Sequence, residues 1–346
     1  MRQRSVFRAS MGEPRSAGML GFTLIELMIA MLLGLIVIGG VSSIFLANQQ
    51  TYRSNEALSE VQDGARVAFE MLSRDIRVAG LAGCNTASGR VGNTVNNSST
   101  NWFADWNNAL HGYDDATTDP ALSGLSGPGS PVAGTSSVHI LSSGAIDATV
   151  GVNQGNDPAR IFITQPSTDL ASGDVIVVCD YDHSTIVQIT NYNNNTVTVV
   201  HNTGTGSPGN CSKGMGYPTD CSSTNGNVYW FPPNSQIAKL TSYVWYIGNN
   251  PVGGKSLYRL SAVNIGGTIT PTPQEMVRNV TGMKILYLQP PSATKFDIAA
   301  NMTNWATVNS AQVTLTLQST FQLAGTNGQP LTRTFASTAT VRNRVN

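Results

Sequence analysis

The chain has 346 residues, enough for one large domain or two small ones with a sizeable core. Its 20 Lys and Arg balance 20 Asp and Glu, so no global charge recruits nucleic acid. Only 12% of residues are charged, against roughly 25% in ordinary soluble domains; Ser, Thr, Asn and Gly carry the polarity, which suits exported β-rich proteins and argues against a cytosolic enzyme.

Residues 1–21 form a small, polar, basic leader in which Arg2, Arg4, Arg8 and Arg15 face a single acid, Glu13. Gly21-Phe22-Thr23-Leu24-Ile25-Glu26-Leu27 follows, and from Leu27 to Ala47 there are 21 residues without a charge. At ~1.5 Å per residue this is about 31 Å of helix, the thickness of a bilayer's hydrocarbon core. A membrane span over about 24–47 is expected, with the arginines held on the cytoplasmic side. A cleaved secretory signal fits poorly. The apolar stretch is too long, and Phe45-Leu46-Ala47 puts a bulky residue where a small one is needed.

Glu26 lies on the cytoplasmic shoulder of the span, where a carboxylate costs about 1–3 kcal/mol unless it snorkels or meets a cation. Either it reaches the headgroups and does nothing more, or it pairs with a positive charge at its own depth. Cleavage between Gly21 and Phe22 would create that charge, an α-amino group four residues earlier and on the same helix face.

The helix continues past the membrane. Leu58, Val61, Ala65, Ala68, Leu72, Ile76 and Ala79 recur at steps of three and four and mark one apolar stripe. Arg66, Glu70, Arg74 and Arg77 fall largely off it, and Arg66–Glu70 and Glu70–Arg74 are i,i+4 pairs. No proline interrupts residues 22–79, and Gly80 and Gly83 supply the stop, giving a helix over 22–80. Gly34, Gly39 and Gly40 are points of weakness or of close helix approach. The stripe is expected to pack on the chain's own head rather than in a free coiled coil.

The stretch from Gly21 to Leu27 resembles the processing signal shared by type IV pilins and type II secretion pseudopilins. The resemblance rests on a basic leader, Gly-Phe, a glutamate at the fifth position after the cut, and an uninterrupted span. It implies that a prepilin peptidase cuts after Gly21 and methylates the amine of Phe22, and that Glu26 guides docking into a filament.

Residues 81–346 are expected to form a periplasmic, β-rich head. Residues 85–135 read as irregular surface, pinned by Trp102, Phe103 and Trp106. Strands are predicted at 138–141 and 160–163, then a β-meander at 174–179, 184–190 and 196–200. Residues 201–227 read as a Gly- and Pro-punctuated loop, followed by strands at 227–231, 238–247, 255–260, 277–288, 311–318 and 332–341. One long helix followed by about ten strands is an α+β arrangement with an antiparallel sheet.

Cys84, Cys179, Cys211 and Cys221 include no C-x-x-C pair, which disfavours zinc, and their even number permits two disulfides. Three pairings are open. Cys211–Cys221, closing a Gly-rich loop, with Cys84–Cys179, tying the helix end to the sheet, is preferred; buried free thiols are the alternative.

A narrower resemblance lies in the head. Met71-Leu72-Ser73-Arg74-Asp75-Ile76-Arg77-Val78-Ala79-Gly80 looks like the helix exit of PilW-type minor pilins. The runs Gly173-Asp174-Val175-Ile176-Val177-Val178-Cys179-Asp180, Ser256-Leu257-Tyr258-Arg259 and Trp305-Ala306-Thr307-Val308, and the ending Arg342-Asn343-Arg344, are similar to that family's head and fall in its order. This resemblance implies a low-abundance pilin, anchored in the inner membrane with its head in the periplasm and later exposed on the cell-surface pilus. Its implied partners are other minor pilins, the major pilin, the prepilin peptidase, the inner-membrane assembly platform and a tip adhesin, with roles in adhesion and twitching motility. Competing readings are a large pseudopilin of a type II secretion system and an unprocessed, inner-membrane-anchored periplasmic binding protein.

No catalytic constellation is legible: H-E-x-x-H, G-x-S-x-G and a phosphate-binding glycine loop are all missing from the sequence. His111, His139, His183 and His201 read as scattered surface or hydrogen-bonded residues. Asp114-Asp115 and Asp180-Tyr181-Asp182 read as turn chemistry rather than a calcium loop. Arg333, Arg342 and Arg344 form too small a basic group to suggest DNA binding. No cofactor and no metal is expected.

Overall fold

The computed structural model describes residues 21–84, 89–152, 156–321 and 328–344; the leader, up to residue 20, lies outside them. A single helix, α1 (Leu24–Arg77), is followed by fourteen described strands, so the chain is α+β. The contacts divide it into two units, one ending at Arg53 and the other Ser54–Asn346.

Within the first unit, every residue from Gly21 to Arg53 except Gly34 is exposed, and α1 passes through Gly34, Gly39 and Gly40 without a break. Within the second unit the stripe is buried. Ala57, Val61, Ala65, Ala68, Leu72, Ile76 and Ala79 are covered, with Ala57 taking the place expected for the half-buried Leu58. From Val61 onward they share one apolar cluster with Met283 and Ile285 of β12 (Val280–Leu288) and Val313, Leu315 and Leu317 of β13 (Ser310–Gln318). Leu72 and Ile76, both without exposure, are the large side chains the helix contributes to that cluster.

β13 pairs on its far side with β14 (Thr332–Thr340), completing an antiparallel three-stranded sheet. The strand expected over 277–288 is two strands. Asn279 takes a left-handed conformation (φ 62°) and separates β11 (Thr268–Arg278) from β12.

The larger sheet is organised by β9 (Gln236–Asn249). Along one side it pairs with β3 (Ser137–Thr149), from Trp245↔Val138 to Gln236↔Thr149. Its other side is shared. β5 (Val175–Cys179) takes Gln236 to Lys239, and β10 (Lys255–Ile265) takes Tyr243 to Asn249. β6 (Ser184–Gln188) continues the sheet beyond β5, and β1 (Val91–Asn93) joins β6 in parallel. β11 closes the opposite edge beside β10, and β2 (Leu110–Tyr113) pairs with β3.

The expected meander stops after two strands. β8 (Thr198–Val200) leaves β6 and pairs with β4 (Arg160–Phe162) and β7 (Asn191–Asn193) in a small separate sheet. There Val199 and Ile161 bury against Ile189, Val187 and Phe231. Residues 227–231 form no strand; Phe231 is buried and Tyr229 half-buried, so their apolar character serves core packing rather than a ladder. Residues 89–135 are less superficial than their composition suggests. They supply β1, β2 and buried Val95, Ala104, Leu110, Ala116 and Leu122, and Trp102, Phe103 and Trp106 pack against these clusters.

Both disulfides form, Cys84–Cys179 and Cys211–Cys221. Gly83 explains how the chain reaches the first. It is left-handed (φ +99°), and a Cβ there would sit 2.8 Å from Cys179 Sγ.

Candidate functional site

The residues singled out at the N-terminus occupy the start of α1. Thr23, not Phe22, is the last residue before the helix, and its Oγ1 accepts a hydrogen bond from the Glu26 amide N–H at 3.3 Å. Thr23-Leu24-Ile25-Glu26 has the spacing of a capping box, in which a Glu at the third helical position reaches back to the cap's own N–H. Only the Thr half is made. The Glu26 carboxylate has no hydrogen bond or ion pair among the described residues, and the residue is exposed. An acid in the first turn also lies at the positive end of the helix dipole.

Phe22, 83% exposed, precedes the helix. This corrects the expectation that Phe22 and Glu26 share a helical face. In this chain Phe22 is the residue before the cap, and an amine created there would approach Glu26 from the helix end. Nothing lies within 4 Å of a Cβ built on Gly21, so the subunit itself places no steric demand for glycine there. The following segment is long and apolar enough to cross a membrane, and its most apolar stretch has no buried residue.

At the other end of α1 the exit is held by the C-terminal Arg-Asn-Arg run. Asn343 Nδ2 donates to Gly80 O at 2.8 Å, and Arg344 donates to Trp305 O at 2.7 Å and Val308 O at 2.9 Å. Burial lowers the Arg344 pKa to about 10. Arg344 is therefore a clamp between chain segments rather than a surface charge open to phosphate.

His139, His183 and His201 are buried; the first two are hydrogen-bonded, as expected, whereas His201 is neither on the surface nor hydrogen-bonded through its ring. His139 Nε2 lies 2.8 Å from Asp119 Oδ1, and Asp119 also accepts from Ser137 Oγ and the Ala121 N–H. Burial alone would raise the Asp119 pKa; the bonds from His139, Ser137 and Ala121 hold it below the usual value. Ser137 is bonded to the carboxylate rather than to the imidazole, so the trio is not a nucleophile–base pair. It pins the turn at Pro120–Leu122 onto β3. His183 bridges Asp182 and Met215 O, each within 3 Å.

The acidic runs are taken up by protein N–H and O–H donors. Asp114 accepts from the Ala299 and Ala300 amides, Asp115 from Thr117 and Gly134, and Asp180 from the Asp182 and His183 amides and the Tyr229 hydroxyl. Among the described residues no three His, Cys, Asp or Glu side chains gather in a metal-binding arrangement.

A family model described as the prokaryotic N-terminal methylation motif matches residues 19–42, which contain Gly21, Phe22 and Glu26. No curated protein and no solved structure matches the chain. The motif is a prepilin-type signal of the kind carried by type IV pilin-like and pseudopilin-like proteins, and the exposed apolar helix behind it fits a membrane anchor.

Proposed function

We propose that this chain, carrying a prepilin-type signal ahead of a long apolar helix, is a minor pilin of the PilW type that helps prime a type IV pilus and sits at or near its tip. The observation that carries the reading is the first half of α1: an uncovered apolar rod, capped by Thr23, with the lone Glu26 carboxylate unengaged at its start. In this reading a prepilin peptidase cuts after Gly21 and methylates the Phe22 amine, and Glu26 of one subunit meets the amine of a neighbour as the helices pack. The head is then a contact surface for other minor pilins, the major pilin and a tip adhesin, with no chemical step of its own. Two disulfides suit a head outside the reducing cytoplasm.

The same anchor serves a large pseudopilin of a type II secretion system. Deletion separates the two, because a minor pilin's loss abolishes twitching whereas a pseudopilin's loss abolishes secretion. The primary test is the intact mass of the purified protein. Methylated Phe22 as the first residue supports the proposal, and an intact Met1 overturns it in favour of an unprocessed membrane-anchored binding protein. Gly21→Ala is expected to retain the leader, and because a Cβ there meets nothing within the subunit, that retention would report the peptidase rather than misfolding.

A further inference from the structure

The shared side of β9 has a gap. β10 leaves it after the Tyr243↔Ser261 pair and β5 does not begin until Lys239, so between these residues no strand among the described residues covers that edge. A cavity of about 390 Å³ lies there, bordered among others by Phe103, Lys239, Tyr243, Arg259, Ser261 and Asn264. Its volume is within the range of about 300–1,000 Å³ usual for small-ligand sites.

Arg259 is held in this wall by aromatic rings rather than by an acid. Its guanidinium carbon is 4.4 Å from the Tyr243 ring centroid and 5.7 Å from that of Trp245. Its Nε is buried without a hydrogen-bond partner, and among the described residues Arg259 forms no ion pair. Asp75 senses its charge, but that carboxylate is engaged by Trp245 Nε1 at 2.9 Å, and burial pushes its pKa up. The other cation of the cavity is spent: Lys239 Nζ is 3.0 Å from Asp174, which also accepts from Asn264 and the Ala171 amide. The hydroxyls of Ser261 and Tyr243 form no hydrogen bond among the described residues. A flat guanidinium oriented by two aromatic rings, with no acid bonded to it and free hydroxyls beside it, is a receptor for a planar oxyanion.

We propose that this cavity binds one carboxylate, the side chain of an aspartate or glutamate on a partner protein, with Arg259 as its bidentate fork. The charge balance selects a monoanion. Lys239 is already faced by Asp174 and Asp147, and Asp75 is engaged by Trp245 with its pKa raised by burial, so Arg259 is the cation left without an acid bonded to it, and a phosphate dianion matches it worse than a monoanion. Phe103, Val263 and Ile269 give the acid's aliphatic stem an apolar wall. This site stands independently of the filament role.

The test titrates the full chain in detergent micelles with the peptides acetyl-Gly-Glu-Gly-amide and acetyl-Gly-Gln-Gly-amide, with acetate and with inorganic phosphate, following the Arg259 Nε–H resonance by NMR. A saturable shift with the Glu peptide, absent with the Gln peptide and weaker with phosphate and acetate, supports the site. No saturable shift, an equal response to Glu and Gln peptides, or tighter binding of phosphate or acetate overturns it. Arg259→Gln should weaken the Glu peptide by about tenfold or more, while Arg259→Lys, which keeps the charge and loses the fork, should retain part of the affinity. The wild-type peptide comparison decides the matter even if a variant folds poorly.

Discussion

Removing the two disulfides one at a time should have unequal costs, and the inequality can be worked from the chain. Cys84 and Cys179 are separated by 95 residues, Cys211 and Cys221 by 10. If a disulfide acts by restricting the unfolded ensemble, the long loop contributes about 4.7 kcal/mol at 25 °C and the short one about 2.7 kcal/mol. Their difference, about 2 kcal/mol, depends only on the logarithm of the loop ratio. The perturbations are the paired variants Cys84→Ala with Cys179→Ala, and Cys211→Ala with Cys221→Ala. All five tryptophans, Trp102, Trp106, Trp230, Trp245 and Trp305, lie in the Ser54–Asn346 unit. Tryptophan fluorescence during urea unfolding of the full chain in micelles therefore reports that unit alone. The midpoint should fall further for the Cys84/Cys179 pair, at unchanged slope between the two variants. Equal midpoints, or a larger loss for the Cys211/Cys221 pair, would refute the entropic reasoning and place the effect in native-state contacts.

Three further outcomes are expected. Glu26→Ala should leave cleavage after Gly21 intact yet lower incorporation into filaments, measured by immunoblot of sheared pili; incorporation equal to wild type would count against the amine–carboxylate pairing. Leu72→Ala, at a side chain with no exposure, should cost about 2–5 kcal/mol of head stability, whereas Val67→Ala on the open side of the same helix should change it by about 0.5 kcal/mol or less. His201 is fully buried with both ring nitrogens unpartnered, and burial lowers its pKa from 6.5 to about 4. The unfolded chain then binds the extra proton first, so stability is lost as pH falls from 6.5 towards 4, on the order of 3 kcal/mol. Denaturation at a series of pH values should show that slope in wild type and a flatter one in His201→Leu; identical slopes would exclude His201 as its source.

The helix was legible because two different periodicities meet in it: an unbroken apolar run, then a stripe at steps of three and four. Each stripe residue named from the sequence is covered except Leu58, whose place Ala57 takes, one step round the helix. Strands with β-branched runs, such as 174–179 and 311–318, were equally plain. β11 was missed because Pro271 and Pro273 argue against a ladder, and they are tolerated only because β11 is the edge of its sheet. The partner of β8 was beyond local pattern, since a short apolar run carries no record of which edge it will meet. The hydrogen-bonded role of a histidine is legible in outline, but its partner is not, for a related reason. His139 is affordable inside only through Asp119, twenty positions away and brought close by the fold.

The two halves of α1 need different partners, and that difference bears on what Glu26 can do. Between Phe22 and Leu46 the structure leaves 17 large apolar side chains exposed. At about 1.5–3 kcal/mol each for full burial, leaving them in water would cost more than the roughly 5–15 kcal/mol of net stability typical of a whole domain. The segment therefore requires an apolar phase supplied from outside the chain, first lipid and, in the proposed reading, the matching helices of a filament. Exchange between those two surroundings is nearly neutral for leucine and isoleucine, because acyl chains and packed apolar helices are comparably apolar. Hydrophobicity thus keeps the helix out of water without telling it when to leave the bilayer. A carboxylate is not indifferent in that way: unpaired in lipid it is costly, and beside an ammonium at the same depth it is compensated. Glu26 is the one acid in the first turn of α1 and has no partner among the described residues. In the proposed assembly it supplies the directional term that the apolar surface lacks.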